Sequence, residues 1–206
     1  METAGENIDQ QATNRDHLTG LHDRKSMERE LERLVEQEPA SFSILLIDLD
    51  SLKPVNDASG HEAGDTLLIE TARVLSNSVR ANPDESYTNG RSQPNAEPDI
   101  VKEARIGGDE FVILLAGIND QVILGLVQDR VQQALADKGI SASIGSRVHQ
   151  EGENAKDILR AADELMREQK NGRKTIKFNA LPRRKRVAAK IGGRLLHYAG
   201  VNPPRQ

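Results

Sequence analysis

Two pairs of acidic residues are the groups in this chain whose types and spacing could do chemistry. Asp48 and Asp50 end the apolar run FSILLIDLD, and Asp109 and Glu110 follow two glycines in RIGGDEFVILL. Strand alternation places Asp48 and Asp50 on one face, unless the strand has ended and Asp50 has entered a turn. Carboxylates at neighbouring strand ends repel each other, and a divalent cation removes that cost. Mg²⁺ typically binds one or two carboxylates plus substrate phosphate oxygens, which favours a site formed by Asp48 and Asp109.

Each acidic pair also has a purely structural explanation. Asp48 and Asp50 alone are typical of a solvated strand end, and two adjacent glycines alone are typical of a turn. Asp109 and Glu110 alone would be an exposed polar tip. However, the apolar run FVILL that follows them makes this place costly for two charges that have no counter-charge. The combination of both pairs therefore favours the metal site.

Helices and strands must alternate to bring these acids together. Apolar residues at helical spacing predict helices over residues 24–38, 62–80, 120–137 and 155–169. Short apolar runs predict five strands: FSILLID (42–48), DIVKEARI (99–106), EFVILLA (110–116), ISASIGSRV (140–148) and RKTIKF (173–178). We expect Gly107 and Gly108 to supply the positive φ that a tight hairpin turn requires. This order predicts an α/β protein of the α+β kind, with a single mixed, mainly antiparallel sheet flanked by helices.

Length and composition fit one domain with appendages. The chain has 206 residues, of which 36% are hydrophobic, enough to bury one core of ordinary size. We expect a flexible N-terminus at 1–14, a folded domain at 15–178 and a basic tail at 179–206. Residues 81–98 contain three prolines and few apolar side chains, which predicts a solvated insertion within the domain.

Cysteine content and charge narrow the ligands and the compartment. The chain has no cysteine, so any metal would be a hard cation held by oxygen or histidine ligands. No apolar run approaches the ~20 residues of a membrane span and no secretory pattern opens the chain, so we expect a cytoplasmic protein. Eleven Lys and Arg follow Glu168 with no acidic residue among them. Such a tail is typically disordered, and it is also suited to binding an anionic surface, nucleic acid or an acidic partner protein.

Five segments carry a resemblance to a known family. In chain order these segments are DHLTGLHDR, DLDSLKPVNDASGHEAGD, RIGGDEF, SIG and ADELMREQKNGRK. In that order and at that spacing they resemble the diguanylate cyclases, which are known for the GGDEF hairpin, over about residues 15–178. The resemblance implies a fold similar to nucleotidyl cyclase and polymerase palm domains. It also implies a signalling reaction that joins two GTP molecules into cyclic di-GMP, a bacterial second messenger, with release of pyrophosphate.

The resemblance implies roles for the acidic residues. Asp48 and Asp109 would bind Mg²⁺, with Mn²⁺ as a possible substitute, and the Leu49 carbonyl would be a backbone ligand. Glu110 would deprotonate or position the attacking 3′-hydroxyl. The chemistry is consistent with these roles, because divalent metals between carboxylates can activate the hydroxyl and neutralise the leaving pyrophosphate.

The resemblance also places the guanine base. Asn56 and Asp65 match the positions that read its edge, where an amide and a carboxylate complement its acceptor and donors and leave adenine unpaired. His61 lies near the same pocket. For His61, packing against its own loop at a helix start is an equally good explanation.

The phosphates would meet a third group of residues. Lys53 matches the family's phosphate lysine, and the backbone amides of Ser51 and Leu52 would cradle the same oxygens. Lys53 considered alone is typical of a solvated lysine. The family's Lys-x-x-Gly-Arg clamp occurs here as Lys170 and Arg173, one residue closer than usual. A slip of one residue turns a helical side chain by about 100°, so the sequence does not decide whether both residues reach the phosphates.

Three functional hypotheses follow. Each domain of this family binds one GTP, so turnover implies a homodimer, and the leading hypothesis is a homodimeric, Mg²⁺-dependent diguanylate cyclase. Pro98 and Val101 replace the family's RxxD pair, so we expect no product inhibition of that kind. The alternative is a catalytically weak or inactive domain that binds GTP or cyclic di-GMP as a signalling module. The third hypothesis is a protein that binds nucleic acid through its basic tail. Only 2% of the residues are aromatic, however, so few side chains are available for bases to stack on.

Overall fold

Four strands and five helices make up the part of the chain that the structure describes. The structure is a computed structural model that describes residues 15–37, 40–80 and 101–180. The elements in chain order are α1 (Arg24–Val35), β1 (Phe42–Leu49), α2 (Leu52–Ser59), α3 (His61–Arg80), β2 (Val101–Arg105), β3 (Glu110–Ala116), α4 (Gln121–Asp137), β4 (Ala142–Val148) and α5 (Ala155–Ala180). The chain divides into two compact units, Met1–Arg167 and Glu168–Gln206.

The strands form one sheet in the order β2-β3-β1-β4, and all three pairings are antiparallel. β1 lies inside the sheet between β3 and β4, which explains why its sequence is continuously apolar. In register, Asp48 at the end of β1 stands opposite Glu110 of β3 on one side and Ser143 of β4 on the other. The first residue of β3 and the end of β1 therefore lie side by side at one end of the strands.

Alternate residues of β1 pack into two separate cores. Ile47 and Leu49 are buried with residues of α3 and α4, whereas Ile44 and Leu46 are buried with residues of α1 and the first turns of α5. Because side chains alternate along a strand, Asp48 belongs to the α1 and α5 side of the sheet. Asp48 lies just beyond the end of that apolar core and is only partly buried, so its carboxylate does not replace an apolar core side chain.

Two helices begin at acidic caps that the sequence supplies. Asp23 precedes α1 and accepts a hydrogen bond from the Ser26 backbone N–H at 2.8 Å. Asp120 precedes α4 and accepts from the N–H groups of Val122 and Ile123 at 2.8 and 3.0 Å. Each cap satisfies N–H groups that have no partner inside the helix, so each fixes where the helix starts.

The predicted architecture is confirmed in kind, with two differences in the elements. One sheet flanked by helices is present, as predicted. The short helix α2 was not predicted, because its sequence LKPVNDAS is polar and contains Pro54, which is tolerated only because it lies in the first turn. The predicted strand RKTIKF is wrong, since α5 continues as a helix to Ala180. No turn separates that segment from the helix before it, and Gly172 costs a helix only about 1 kcal/mol.

The prediction for the paired glycines is also wrong. Glycines with positive φ among the described residues include Gly60 and Gly117 but not Gly107 or Gly108. The hairpin is instead a wider turn, in which the backbone N–H groups of Ile106 and Gly107 both reach the Glu110 carbonyl, at 2.9 and 3.4 Å. A turn of this width needs no left-handed residue.

Several predictions fall on residues outside the description. These are the insertion at 81–98, with Pro98 in it, the N-terminal segment 1–14, the tail from 181 onward, and the side chains of Val101 and Arg173. The proposed domain boundaries therefore stay predictions. Within the described ranges, none of the helices combines the length and the apolar character that crossing a bilayer requires.

Candidate active site

The two acidic pairs meet where β1 ends. The Leu49 backbone N–H donates to the Asp109 carbonyl oxygen at 3.0 Å, and Asp48 is the direct cross-strand neighbour of Glu110. Side chains directly opposite each other in an antiparallel pair lie on the same face, about 5 Å apart at Cβ. Asp48 and Glu110 therefore share one face, and the backbone of Asp109 adjoins the backbone of Leu49.

Asp50 does not continue this arrangement, because β1 ends at Leu49 and Asp50 lies in the turn. Its carboxylate accepts hydrogen bonds from the hydroxyl groups of Ser141 and Ser143, both at 3.0 Å. Both serines belong to the segment that forms β4 or leads into it. Asp50 thus faces β4, whereas Asp48 stands beside Glu110.

The GGDEF turn holds Glu110 close to its own backbone. A methyl group on Gly107 would come within 2.5 Å of Glu110 Oε2, whereas a methyl group on Gly108 would meet nothing within 4 Å. The first glycine of the pair therefore leaves room for the Glu110 carboxylate in the place that it occupies. The Arg105 guanidinium holds the turn from the side by donating to the Gly108 carbonyl at 2.9 Å.

Arg24 connects the start of α1 to this turn. Its Nε donates to the Ile106 carbonyl at 2.7 Å, and its guanidinium lies 3.9 Å from Glu110 Oε2. The Arg24 side chain is 56% exposed and that of Glu110 is 37% exposed, so solvent weakens the attraction between them. Arg24 therefore orients the turn mainly through its backbone hydrogen bond.

Asp16 anchors the same turn from the segment DHLTGLHDR. Its carboxylate accepts the Arg105 guanidinium at 3.3 Å and both the backbone N–H and the hydroxyl of Thr19, at 2.9 and 2.7 Å. Burial by itself raises the pKa of Asp16. The Thr19 hydrogen bonds and the Arg105 charge outweigh burial and hold that pKa below its ordinary value.

The start of α2 offers backbone N–H groups. Ser51 occupies the capping position, and its side chain makes no capping hydrogen bond. Because the first N–H groups of a helix have no acceptor inside it, those of the Leu52 turn are suited to binding an anion. The Lys53 side chain is exposed at the same end of the helix.

Asn56 is the most unusual polar residue of the site. Its side-chain oxygen Oδ1 is buried without a hydrogen-bond partner. A methyl group on Gly64 would overlap this oxygen, so α3 approaches the amide closely only because residue 64 is glycine. Such an orphaned acceptor is costly unless a ligand completes it. His61 and Asp65 are exposed on the first turns of α3, one helical turn apart on one face.

Lys170 and Arg173 lie in the second compact unit, on the later turns of α5. They are three residues apart on a continuous helix. The phosphate clamp that they were predicted to form stays a prediction.

Oxygen atoms dominate the donor set at the end of β1. The carboxylates of Asp48 and Asp109 and the Leu49 carbonyl are hard ligands of the kind that Mg²⁺ and Mn²⁺ prefer. The described ranges contain no group of three or more His, Asp or Glu arranged to hold a metal ion. The assignment of Asp48, Asp109 and the Leu49 carbonyl as metal ligands therefore stays a prediction, and such a set would leave the ion's remaining positions to a substrate and water.

Comparison with known proteins identifies the family. The profile described as "Diguanylate cyclase, GGDEF domain" matches residues 13–87 and 97–175, well over half of the chain. The chain belongs to the GGDEF family. Both acidic pairs of this GGDEF domain, and the whole of α2, fall inside the matched ranges.

Individual relatives agree with the family match. The probable diguanylate cyclase DgcJ of Escherichia coli is 30% identical over 167 residues, which cover 77% of this chain and 30% of the relative. The diguanylate cyclase DgcS of Shewanella oneidensis is 29% identical over 174 residues, which cover 80% of this chain and 52% of the relative. The chain therefore spans only a third to a half of the length of these relatives.

A solved structure confirms the fold class. A sensory box/GGDEF family protein from Caulobacter crescentus superimposes with a TM-score of 0.62 and 30% sequence identity, covering 77% of this chain and 99% of that one. The predicted palm-like GGDEF fold is thus shown.

Four residues that support the site, Arg24, Arg105, Asp16 and Gly64, were not among the predicted ones, and Gly107 was predicted for a different reason. Arg24, Arg105 and Asp16 hold the GGDEF turn, and Gly64 and Gly107 make room for Asn56 and Glu110. The three charged residues lie within the family segments, so their presence there was a usable signal. The clearance that the two glycines provide could not be predicted, because it depends on how the Asn56 and Glu110 side chains fold back toward them.

Proposed function

We propose that this GGDEF domain is a diguanylate cyclase that joins two GTP molecules into cyclic di-GMP. The observation that carries the proposal is the junction of the two acidic pairs, in which Leu49 bonds to Asp109 and Asp48 stands opposite Glu110. In the reaction, the 3′-oxygen of each GTP attacks the α-phosphorus of the other. Two phosphodiester bonds form and two pyrophosphates leave.

The acidic junction supports a metal-assisted reaction. Asp48, Asp109 and the Leu49 carbonyl would hold Mg²⁺, which when bound supplies positive charge that offsets the triphosphate. Glu110 stands beside Asp48 and is only partly exposed. In this proposal Glu110 accepts or orients the proton of the attacking 3′-hydroxyl. Arg24 lies 3.9 Å from the Glu110 carboxylate, and Arg105 holds the turn that precedes it through the Gly108 carbonyl.

The remaining residues would bind the nucleotide. The unpartnered Asn56 oxygen supports recognition of guanine, because the N1 and N2 hydrogens of guanine can satisfy an acceptor that adenine would leave unpaired. Asp65 would accept from the same edge, with His61 beside it. The phosphates would accept hydrogen bonds from the N–H groups of Ser51 and Leu52 and would pair with the Lys53 side chain.

Two chains are needed, because one domain of this kind presents one nucleotide. A homodimer places the 3′-hydroxyl of one GTP against the α-phosphorus of the other. The specific activity per chain should therefore rise with protein concentration. This dependence distinguishes a cyclase from a hydrolase, which would act as a single chain.

The proposal is tested by incubating the purified protein with GTP and Mg²⁺ and separating the products by chromatography. Cyclic di-GMP and pyrophosphate should accumulate in a ratio of one to two, and Asp109→Ala should abolish both. Gly108→Ala is the matched control in the same turn, since a methyl group there has free space. Absence of cyclic di-GMP at high protein concentration would retire the cyclase.

The alternative is a GGDEF domain that binds nucleotide without turnover. The shortened spacing between Lys170 and Arg173 favours it, because the phosphate clamp is one residue away from the family pattern. This alternative predicts that GTP or cyclic di-GMP binds with measurable affinity while no product forms. The same incubation, combined with a calorimetric titration of each nucleotide, separates the two functions.

A further inference from the structure

Asp50 makes three hydrogen bonds with β4 and the residue that precedes it, at the point where β1 ends and α2 follows. Its backbone N–H donates to the Ser141 carbonyl at 2.9 Å. The Ser141 hydroxyl donates to Asp50 Oδ2, and the Ser143 hydroxyl donates to Oδ1, each at 3.0 Å. One carboxylate oxygen of Asp50 therefore accepts from a β4 residue, and the other accepts from the residue just before β4.

The two hydroxyl groups differ in burial, since Ser141 is half-buried and Ser143 is buried completely. Ser143 is fully buried and stands opposite Asp48 in the register of β1 and β4. Hydrogen bonds to a charged carboxylate are stronger than neutral ones, and burial protects them from competition by water. The backbone at Asp50 cannot move away from β4 without breaking two such bonds.

The segment that Asp50 fixes is the one that opens α2. Ser51 follows directly and makes no side-chain cap, and the helix begins at Leu52. The Ser51 side chain therefore does not set the direction of the first N–H groups. That direction depends on where the chain leaves β1, and at that point Asp50 is held by Ser141 and Ser143.

We propose that Asp50 is a positioning residue for the phosphates of the nucleotide and not a ligand of the cation. Through Ser141 and Ser143 it orients the N–H groups of Ser51 and Leu52 toward the triphosphate. The proposal rests on the proposed function and deepens it. It also separates the two acids of the DLD sequence, since Asp48 faces Glu110 while Asp50 faces β4.

The test compares four variants of the full chain: Asp50→Asn, Ser141→Ala, Ser141→Thr and, as a matched control, Ser146→Ala. Ser146 lies on the same strand, and its hydroxyl bonds to Gln128, away from Asp50. Affinity for a non-hydrolysable GTP analogue is measured by calorimetry at saturating Mg²⁺ and then across a series of Mg²⁺ concentrations. Thermal melting confirms that each variant is folded.

The positioning role predicts weaker nucleotide binding with an unchanged need for metal. Ser141→Ala should weaken binding about fivefold and Asp50→Asn about tenfold, the size expected for lost hydrogen bonds to a charged group. The half-saturating Mg²⁺ concentration should stay the same. Ser141→Thr keeps the hydroxyl at a half-buried position and should bind within about twofold of the wild type, as should Ser146→Ala.

Two results would overturn the inference. One is Ser141→Ala binding the analogue as tightly as the wild type. The other is Asp50→Asn raising the half-saturating Mg²⁺ concentration, which would make Asp50 a metal ligand. A wild-type protein that binds the analogue but forms no cyclic di-GMP would refute the cyclase alone, and the titrations would still decide the role of Asp50. A wild type that does not bind the analogue would refute both.

Discussion

The backbone N–H of Leu49 lies 3.0 Å from the carbonyl oxygen of Asp109 and donates a hydrogen bond to it. These residues are 60 positions apart in the chain, and this bond joins the last residue of β1 to the turn before β3. The next pair along the strands is Asp48 and Glu110. Four residues that the proposed reaction depends on are thus fixed by the backbone of the sheet, independently of any side-chain rotamer.

Gly107→Ala should reduce catalysis without unfolding the protein. The new methyl group would press on Glu110 Oε2, which is the far end of a flexible side chain and can move at little cost. We therefore expect the free energy of unfolding to change by less than about 1 kcal/mol. We expect kcat to fall by at least about tenfold, because the displaced carboxylate no longer meets the 3′-hydroxyl. Gly108→Ala is the control and should retain activity.

Gly64→Ala should impair nucleotide binding at the base. The methyl group would overlap the Asn56 side-chain oxygen and push that amide out of its place. Affinity for a GTP analogue, measured by calorimetry, should fall about tenfold or more. Gly125→Ala in α4 makes the same substitution in a helix with open space around it, and it should leave affinity unchanged. If both variants bind the GTP analogue with equal affinity, Asn56 does not bind the base.

Gly145→Ala should destabilise the fold itself. Here the added methyl group would overlap the Ala162 carbonyl and approach the Met166 N–H, and both are backbone atoms of α5 that cannot rotate away. We expect a loss of about 2 kcal/mol or more in the free energy of unfolding, measured by urea denaturation. Gly125→Ala again serves as the control, and helix propensity should make it neutral or slightly stabilising. An unchanged unfolding midpoint for Gly145→Ala would show that β4 and α5 pack less closely than described.

Asp16→Asn should change the acid sensitivity of the fold. The pKa of Asp16 is lower in the folded chain than its ordinary value of 3.8, so its ionised form stabilises the fold. That contribution is fully present above pH 3.8 and is lost as the pH falls through the folded pKa. The variant should therefore lose about 1 to 2 kcal/mol at pH 7, with a smaller difference from the wild type near pH 3.

A surface ion pair gives the matched control for that measurement. Asp163 pairs with the highly exposed Arg167 on α5, so Asp163→Asn should cost less than about 1 kcal/mol. Urea denaturation at both pH values measures each variant. If Asp16→Asn and the wild type differ by the same amount at pH 7 and pH 3, the carboxylate of Asp16 does not stabilise the turn through its charge.

The sequence predicted those elements whose pattern reflects burial. β1 and β3 are continuous apolar runs because they lie inside the sheet, and α3 and α4 carry apolar stripes because one face of each is buried. The acidic pairs could be predicted as neighbours because each stands at the end of such a strand. Helix α2 has no buried residue among its eight, so it left no apolar pattern to detect.

Tertiary contacts decided what the sequence could not. The segment RKTIKF has the pattern of a strand but is helical, because α5 continues through it. Of the paired glycines, Gly107 provides clearance for the Glu110 side chain, and neither has a positive φ. Strand alternation alone allowed Asp50 to lie either on the same strand face as Asp48 or in the turn after the strand. The end of β1 at Leu49 shows that Asp50 lies in the turn, and the hydrogen bonds from Ser141 and Ser143, about 90 residues further along, show that it faces β4.

The most direct test of the central claim measures metal binding at the acidic junction. Mn²⁺ is titrated into the protein with a non-hydrolysable GTP analogue, and bound ion is counted by electron paramagnetic resonance. The wild type should bind Mn²⁺ in a nucleotide-dependent manner, and Asp48→Asn and Asp109→Asn should each weaken that binding by at least about tenfold. Binding that is unchanged in both variants would contradict a cation shared between the end of β1 and the GGDEF turn.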